Sequence, residues 1–235
     1  MKSKALIIVP AYNEQDNLPR TISELRFNAP SFDIVIVNDG STDNTSQVAK
    51  QIGEKVIDLP FNLGIGGAVQ TGFKYALQSG YDIVVQVDAD GQHDACSLSS
   101  MIEPIISGKA DIVVGSRYLG DNLLKMSPVR NLGIKYFSWL TSRLIGQKIT
   151  DCSSGYRVLN KKTMHFFSDN YPVDFPDAEA LILAHQHNLK ILEVPARFKK
   201  RLKGKSSLHV FRFLFYPIKE TLSILMLAIE RKVES

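Results

Sequence analysis

The sequence predicts an α/β protein: a mostly parallel, doubly wound sheet flanked by helices, with a C-terminal amphipathic helical extension. Three observations carry this. Short apolar runs recur near residues 4–9, 33–38, 81–87 and 110–115, the signature of strands buried on both faces. Segments of helical spacing separate them, which implies parallel crossovers. The polar motifs fall just past the ends of the runs, where open parallel sheets gather ligands.

In order, Lys4–Val9 is an uninterrupted apolar run closed by Pro10. Asn17 to Asn28 has helical spacing through Leu18, Ile22 and Leu25, and Asp33–Asn38 repeats the strand signature. Ser41 to Ile52 reads as a helix with capping residues at its start. Lys55–Leu59 is a short strand, and a glycine-bearing loop leads to a helix over Ala68–Gln78. Strand Tyr81–Val87, helix Ala95–Ser107 and strand Ala110–Gly115 follow. Then the pattern changes: Gly120–Ser127 is polar, Pro128–Ile145 is amphipathic with Arg130, Lys135 and Arg143 among aromatics, and Asp151–Arg157 is a tight polar loop. Residues 197–207 are highly basic, and Leu208–Ile229 is apolar but broken by Arg212, Pro217, Lys219 and Glu220.

A chain of 235 residues, 44% hydrophobic and 22% charged, suffices for one domain or a domain with an appendage. Cys96 and Cys152 have no metal-ligand spacing and make no disulfide framework, as expected in a reducing cytosol. No signal peptide is expected, because the apolar run after Lys2 and Lys4 stops at Pro10. The net charge of +4 hides an asymmetry: from Arg197 onward there are ten Lys/Arg and three Asp/Glu. A basic tail calls for an anionic partner, nucleic acid or a membrane leaflet.

The most informative motif is Asp88-Ala89-Asp90-Gly91-Gln92-His93 at the end of a strand. In extended chain residues i and i+2 share a face, so Asp88, Asp90 and Gln92 can converge on one cation. Their hard oxygens suit Mg²⁺ or Mn²⁺, which would grip a diphosphate; the alternative is two solvated turn aspartates. Gly64-Ile65-Gly66-Gly67 lacks the dinucleotide-binding G-x-G-x-x-G spacing. These glycines read instead as a tight turn, or as room for close backbone approach to a donor.

Val9-Pro10-Ala11-Tyr12-Asn13-Glu14, Asn38-Asp39-Gly40-Ser41-Thr42 and Asp88-Ala89-Asp90 resemble, in order and spacing, the glycosyltransferase family 2 signature. Asn62 to Ala68, Gly91-Gln92-His93, Gly115-Ser116-Arg117-Tyr118, Asp151 to Arg157 and the Arg201…Gly204…Ser206 pattern extend the resemblance to the polyprenol-phosphate glycosyltransferases, the dolichol-phosphate mannose synthase-like group. The resemblance spans about residues 5–207 and departs from the family twice. Asn38 stands where a second aspartate is usual, and Asp174-Phe-Pro-Asp177-Ala-Glu179 replaces a Pro-Glu-Pro-Glu-like motif.

The resemblance implies a GT-A fold, a Rossmann-like catalytic domain over 1–206 with a donor half to about 116 and an acceptor half beyond, then a tail over 207–235. It implies that Pro10, Tyr12, Glu14, Gly66, Asp88 and Ala89 bound the donor pocket, with Asp39 bonding base or ribose. Asp88, Asp90 and Gln92 would be the metal set. Asp90 with Arg117, Arg130 and Arg201 would form the catalytic group, the arginines gripping phosphate bidentately. Asp151, Ser154, Arg157, Asp177 and Glu179 would shape the acceptor side.

The expected reaction moves a sugar from a nucleotide diphosphate, UDP-sugar before GDP-mannose, to a polyprenyl phosphate. The alternatives are transfer to a sugar hydroxyl, with Asp174, Asp177 or Glu179 as base, and a non-catalytic nucleotide-sugar-binding subunit. Arg212, Lys219 and Glu220 disfavour a membrane-spanning tail. A peripheral helix on the anionic cytoplasmic face of the membrane is expected, with a small membrane-protein partner or a second copy as other occupants, and no nucleic acid.

Overall fold

The computed structural model describes residues 3–120, 126–174, 176–201 and 219–227. The middle of the polar loop at 120–127, the basic run beyond Arg201 and most of the expected tail lie outside the described residues.

The strands are β1 (Ala5–Ala11), β2 (Asp33–Asn38), β3 (Lys55–Asp58), β4 (Ile83–Gln86), β5 (Ile112–Ser116), β6 (Arg157–Asn160) and β7 (Ile191–Pro195). They form one sheet in the order β3-β2-β1-β4-β6-β5-β7. β6 runs antiparallel to β4 and β5, and the other pairs are parallel. The helices are α1 (Leu18–Asn28), α2 (Thr45–Ile52), α3 (Gly64–Gln78), α4 (Leu98–Ile106), α5 (Pro128–Ile145), α6 (Lys161–Asn170) and α7 (Ala178–Gln186).

Alternation along β1 explains why its run is apolar without interruption. Leu6 and Ile8 enter one core, with Phe73 of α3 and Phe167 of α6. Ile7 and Val9 enter the other, with Leu18 and Ile22 of α1 and Met101 of α4. Successive side chains point to opposite faces, and both faces are covered.

Several boundaries differ from the sequence expectation for identifiable reasons. The helix expected from Ser41 begins at Thr45, because the 41–43 segment is bound to Asn13, whose Oδ1 accepts from the amides of Thr42 (2.8 Å) and Asp43 (3.3 Å). The helix expected from Ala68 begins at Gly64, where Asp39 Oδ1 accepts from the Leu63 amide at 2.7 Å and serves as a cap supplied from another loop. The expected Ala95–Ser107 helix is a 3₁₀ turn, Ala95–Ser97, followed by α4. Strand Tyr81–Val87 contracts to β4.

Residues 219–227 are helical and return to the domain. Ile224 is fully buried in the first core, and the Gln186 side chain donates to the Leu227 carbonyl at 3.0 Å. This packing buries Glu220 to 2% exposure. Burial, with Asp177 and Glu179 adding to it, pushes its carboxyl up to about 8 from 4.5. A carboxyl raised on folding leaves stability intact below about pH 4.5 and withdraws it as pH climbs through about 8. Glu220→Gln is therefore expected to leave the melting temperature nearly unchanged at pH 4 and to raise it by about 5 °C at pH 9, as read by scanning calorimetry.

Candidate active site

β1, β2 and β4 end side by side at Ala11, Asn38 and Gln86. Their C-terminal ends open into a cleft of about 770 Å³, walled on one side by Pro10, Tyr12, Glu14, Asp39, Asp88, Ala89 and Asp90, and on the other by Arg157, Asp177 and Arg201.

The acidic pair is held by its own loop. Thr21 Oγ1 donates to the Ala89 carbonyl at 2.9 Å, and Asp90 Oδ1 accepts from the Gln92 amide at 3.0 Å. The Asp88 amide donates to His93 Nδ1 at 3.1 Å, which places the ring's own proton on Nε2, 3.5 Å from Asp88 Oδ2. His93 is buried, stacked on Tyr156 at 4.6 Å, and burial pulls it down to about 4, so the ring stays neutral. Burial pushes both aspartates above the usual carboxylate range; Asp88 raises Asp90 further, while Arg117, Arg157 and Arg201 pull Asp88 down. Gly155 faces the pair: a Cβ there would stand 3.3 Å from Asp88 Oδ1. Two mutually repelling hard-oxygen donors beside a cradle without a side chain fit a divalent cation. Gln92, the third expected ligand, directs its side-chain nitrogen to the Lys199 carbonyl at 3.3 Å.

On the β1–β2 side of the cleft Tyr12 is half exposed. Glu14 is fastened by its amide to Thr45 Oγ1 at 2.9 Å and by Asn17 Nδ2 to its Oε2 at 2.6 Å, and burial raises its carboxyl. Asp39 lines the cleft, though one oxygen is committed to Leu63, and burial raises it too. Asn38 donates to Asp58 Oδ1 at 2.8 Å, an interaction that an aspartate at this position would turn into repulsion. Gly66 is pressed against the 172–173 backbone: a Cβ would meet the Pro172 carbonyl at 2.2 Å. The close approach it permits within the chain is thus to that segment.

Arg117 and Asp151 form a buried bidentate pair, Nε and Nη2 each 2.7 Å from a carboxylate oxygen. Nη2 also reaches Ser153, and Nη1 faces the Met126 sulfur at 3.9 Å. Arg157 donates to the carbonyls of Cys152, Ser154, Pro176 and Asp177 and so clamps two loops. Ser154 donates to the Gly115 carbonyl at 2.6 Å. Arg130, in the first turn of α5, lies in the combined field of Arg117, Asp90, Asp151 and Asp177. Arg201 pairs with Glu14 and approaches Asp90 at 3.6 Å, tying the loop after β1 to the acidic pair. Asp177 faces the cleft, its carboxyl pushed up to about 6 by burial despite Arg157 and Arg117. Glu179 is buried, with Oε1 lacking a hydrogen-bond partner among the described residues.

Three further residues support the site from outside the expected set of site residues. Asn13, at φ 56°, joins the loops after β1 and β2. His93 orders Asp88. Glu193 accepts from the Thr150 amide at 2.7 Å and the Asp151 amide at 2.8 Å and fixes the loop that presents Asp151. Of these only Asn13 carries a local signal, the tolerance of Asn for the left-handed region. Gly66→Ala, by forcing the α3 start away from residues 172–173, is expected to cost about 1–3 kcal/mol of stability and to weaken nucleotide binding, read by thermal melting and nucleotide titration.

Comparison with known proteins follows the same lines. The family model described as glycosyl transferase family 2 matches residues 6–166. The UDP-N-acetylglucosamine–dolichyl-phosphate N-acetylglucosaminyltransferase of Methanococcus voltae is 36% identical over 81% of this chain and 84% of its own. The undecaprenyl-phosphate mannosyltransferase of Micrococcus luteus is 30% identical over 87% of each chain. In fold, the glucosyl-3-phosphoglycerate synthase of Mycobacterium tuberculosis, crystallised with Mn²⁺, UDP and glucosyl-3-phosphoglycerate, superposes with a TM-score of 0.70 at 15% identity, covering 97% of this chain and 80% of that one. The chain belongs to glycosyl transferase family 2 and is a glycosyltransferase built on the GT-A fold.

Proposed function

We propose that the chain is an inverting transferase, dependent on Mg²⁺ or Mn²⁺, that moves a hexose or N-acetylhexosamine from a nucleotide diphosphate to a polyprenyl phosphate. A UDP-sugar is the favoured donor and GDP-mannose the alternative. The observation that carries the reading is the apposition, in one cleft, of the Asp88/Asp90 pair and the Arg201 guanidinium, 3.6 Å from Asp90. The names of the Methanococcus voltae and Micrococcus luteus relatives support the lipid-phosphate acceptor, and the Mn²⁺ and UDP in the structural neighbour accord with the metal and the base.

In this mechanism Asp88, Asp90 and the carboxamide oxygen of Gln92 would hold the divalent ion, which when bound would offset the charge of the diphosphate. Pro10, Tyr12, Glu14 and Ala89 bound the nucleoside, and Asp39 accepts from ribose or base. Arg201, Arg130 and the Nη1 edge of Arg117 orient the acceptor phosphate. A phosphate oxygen attacks the sugar C1 as the bond from C1 to the diphosphate oxygen breaks; the bonding pair leaves with the nucleoside diphosphate and C1 inverts. Alignment of the two reactants supplies much of the rate. A phosphate is already anionic at neutral pH, so no base must act first. His93 is not placed as one, because its Nδ1 accepts from Asp88.

The chain would work peripherally at the cytoplasmic face of the membrane. Among the described residues no helix is long and apolar enough to cross one, and the basic C-terminal region suits an anionic surface. A small membrane-protein partner or a second copy is the other docking element considered.

Asp177 favours a second reading. A cleft carboxylate near pH 6 is suited to remove a proton from a sugar hydroxyl. Assay of labelled UDP- and GDP-sugars with undecaprenyl phosphate in detergent is expected to yield a mild-acid-labile lipid only with Mg²⁺ or Mn²⁺, and Asp90→Asn to lower turnover by about 100-fold or more. Asp177→Asn separates the readings. Loss of less than about tenfold fits the phosphate acceptor, whereas loss of about 10²–10⁴ with donor binding intact fits a base. Donor binding without transfer to either acceptor class would leave only the non-catalytic subunit.

A further inference from the structure

A guanidinium donates within its own plane, and Arg117 spends one edge of that plane on the scaffold. Nε and Nη2 each stand 2.7 Å from a carboxylate oxygen of Asp151, and Nη2 also reaches Ser153 Oγ at 2.7 Å. A bidentate pair of this kind fixes the group in its plane but leaves it able to tilt about the bonded edge. Nη1, the corner that must meet a phosphate, is the one such a tilt displaces most.

Phe198 removes that freedom. The Arg117 Cζ lies over its ring, 5.3 Å from the ring centre, within the reach of a cation–π contact. The same ring stands perpendicular to His93, with centres 5.2 Å apart at 89°, and to Tyr156, at 6.2 Å and 87°. This is the edge-to-face arrangement that aromatic quadrupoles favour. His93 in turn accepts from the Asp88 amide. One side chain thus joins the arginine to the ring that orders the acidic loop.

The backbone of Phe198 is fixed to the same loop. It bridges His93 in antiparallel register, between a bond from the Asp94 amide to the Arg197 carbonyl at 3.1 Å and one from the Lys199 amide to the Gln92 carbonyl at 2.7 Å. Lys199 adds ion pairs to Glu24 at 2.8 Å and Asp94 at 3.4 Å. The ring therefore has a set position relative to Asp88 and Asp90.

The fold alone does not ask for a ring here. Phe198 is half-buried against the second core, a contact that a large aliphatic side chain would serve, whereas a guanidinium face needs a π face. We infer that Phe198 is a positioning residue for the transfer reaction: it holds the Arg117 guanidinium at one tilt against the acidic loop, so that the groups for acceptor and cation keep one geometry. The inference deepens the proposed function and rests on it for one step, that Arg117 meets the acceptor phosphate.

The hold on Arg117 can be read without substrate. In the ligand-free full chain with ¹⁵N-labelled arginine, the Arg117 Nε–H signal, identified by its absence from Arg117→Lys, is expected to carry a ring-current displacement. Phe198→Leu, with an unchanged melting curve, is expected to remove that displacement and to speed exchange of the proton with water, and Phe198→Tyr to preserve both. In turnover, Phe198→Leu is expected to lower kcat/KM for polyprenyl phosphate about tenfold, the scale of a partly desolvated cation–π contact, while the affinity for UDP with Mn²⁺ changes by less than about threefold. Phe198→Tyr restores turnover. The loss vanishes in an Arg117→Lys background, because a residue that acts through Arg117 adds nothing once that guanidinium is gone.

An Arg117 signal unchanged in Phe198→Leu would overturn the inference, as would an unchanged kcat/KM. A loss that multiplies with that of Arg117→Lys, or that Phe198→Tyr fails to rescue, would reduce Phe198 to a packing residue. A chain that shows the signal change yet turns over no polyprenyl phosphate keeps the hold on Arg117 and loses the acceptor reading alone.

Discussion

Pairing Gln86 with Arg157 across the antiparallel β4–β6 ladder brings a late part of the chain to the tip of the strand that carries the acidic pair. The cleft follows from that pairing. It sets Gly155 against the Asp88 carboxylate and places Arg157 where it can clamp Cys152, Ser154, Pro176 and Asp177. With β5 on the other side of β6, Arg117 at the end of β5 meets Asp151 across the same loop. An all-parallel sheet would deliver only the donor wall; the reversed strand supplies the opposite one.

The electrostatics of the cleft are a balance between burial and guanidinium groups. Asp88, Asp90, Glu14, Asp39 and Asp177 are all raised by burial; Arg117, Arg157 or Arg201 opposes this at all of them but Asp39, where backbone amides do. Arg157 and Arg117 are largely consumed by the scaffold. Arg201 bridges Glu14 and Asp90, at the seam between the loops after β1 and β4. Its segment is stitched to the acidic loop by backbone bonds from Asp94 to Arg197 and from Lys199 to Gln92. A displacement of the loop that carries Asp90 is therefore transmitted to the segment that carries Arg201.

Much of the donor half was legible in the sequence because its determinants are local. The apolar runs of β1, β2 and β4 and the helical spacing of α1 are short-range patterns, and α5 has the expected limits, Pro128 to Ile145. The misplaced starts of α2 and α3 have one cause. Their first turns are decided by partners from other loops, Asn13 for residues 42–43 and Asp39 for Leu63, at separations no window spans. β6 and β7 are short and border loops, and their strand character comes from their neighbours in the sheet rather than from their own residues.

For the site the division is between identity and commitment. Spacing named the acid pair and the family resemblance named the arginines, since an acid pair or a guanidinium has much the same chemistry wherever it sits. Whether each faces substrate or scaffold depends on hydrogen bonds made over long separations. Asp39 spends one oxygen on Leu63, Arg117 closes on Asp151, Ser154 bonds the Gly115 carbonyl, and Gly66 yields its space to residues 172–173. The sequence by itself determined the fold class, the family and the chemical inventory of the cleft, because periodicity and motif spacing are properties of neighbouring residues. Only the tertiary structure decided how that inventory is allotted, because burial and charge balance are summed over residues distant in the chain and near in space.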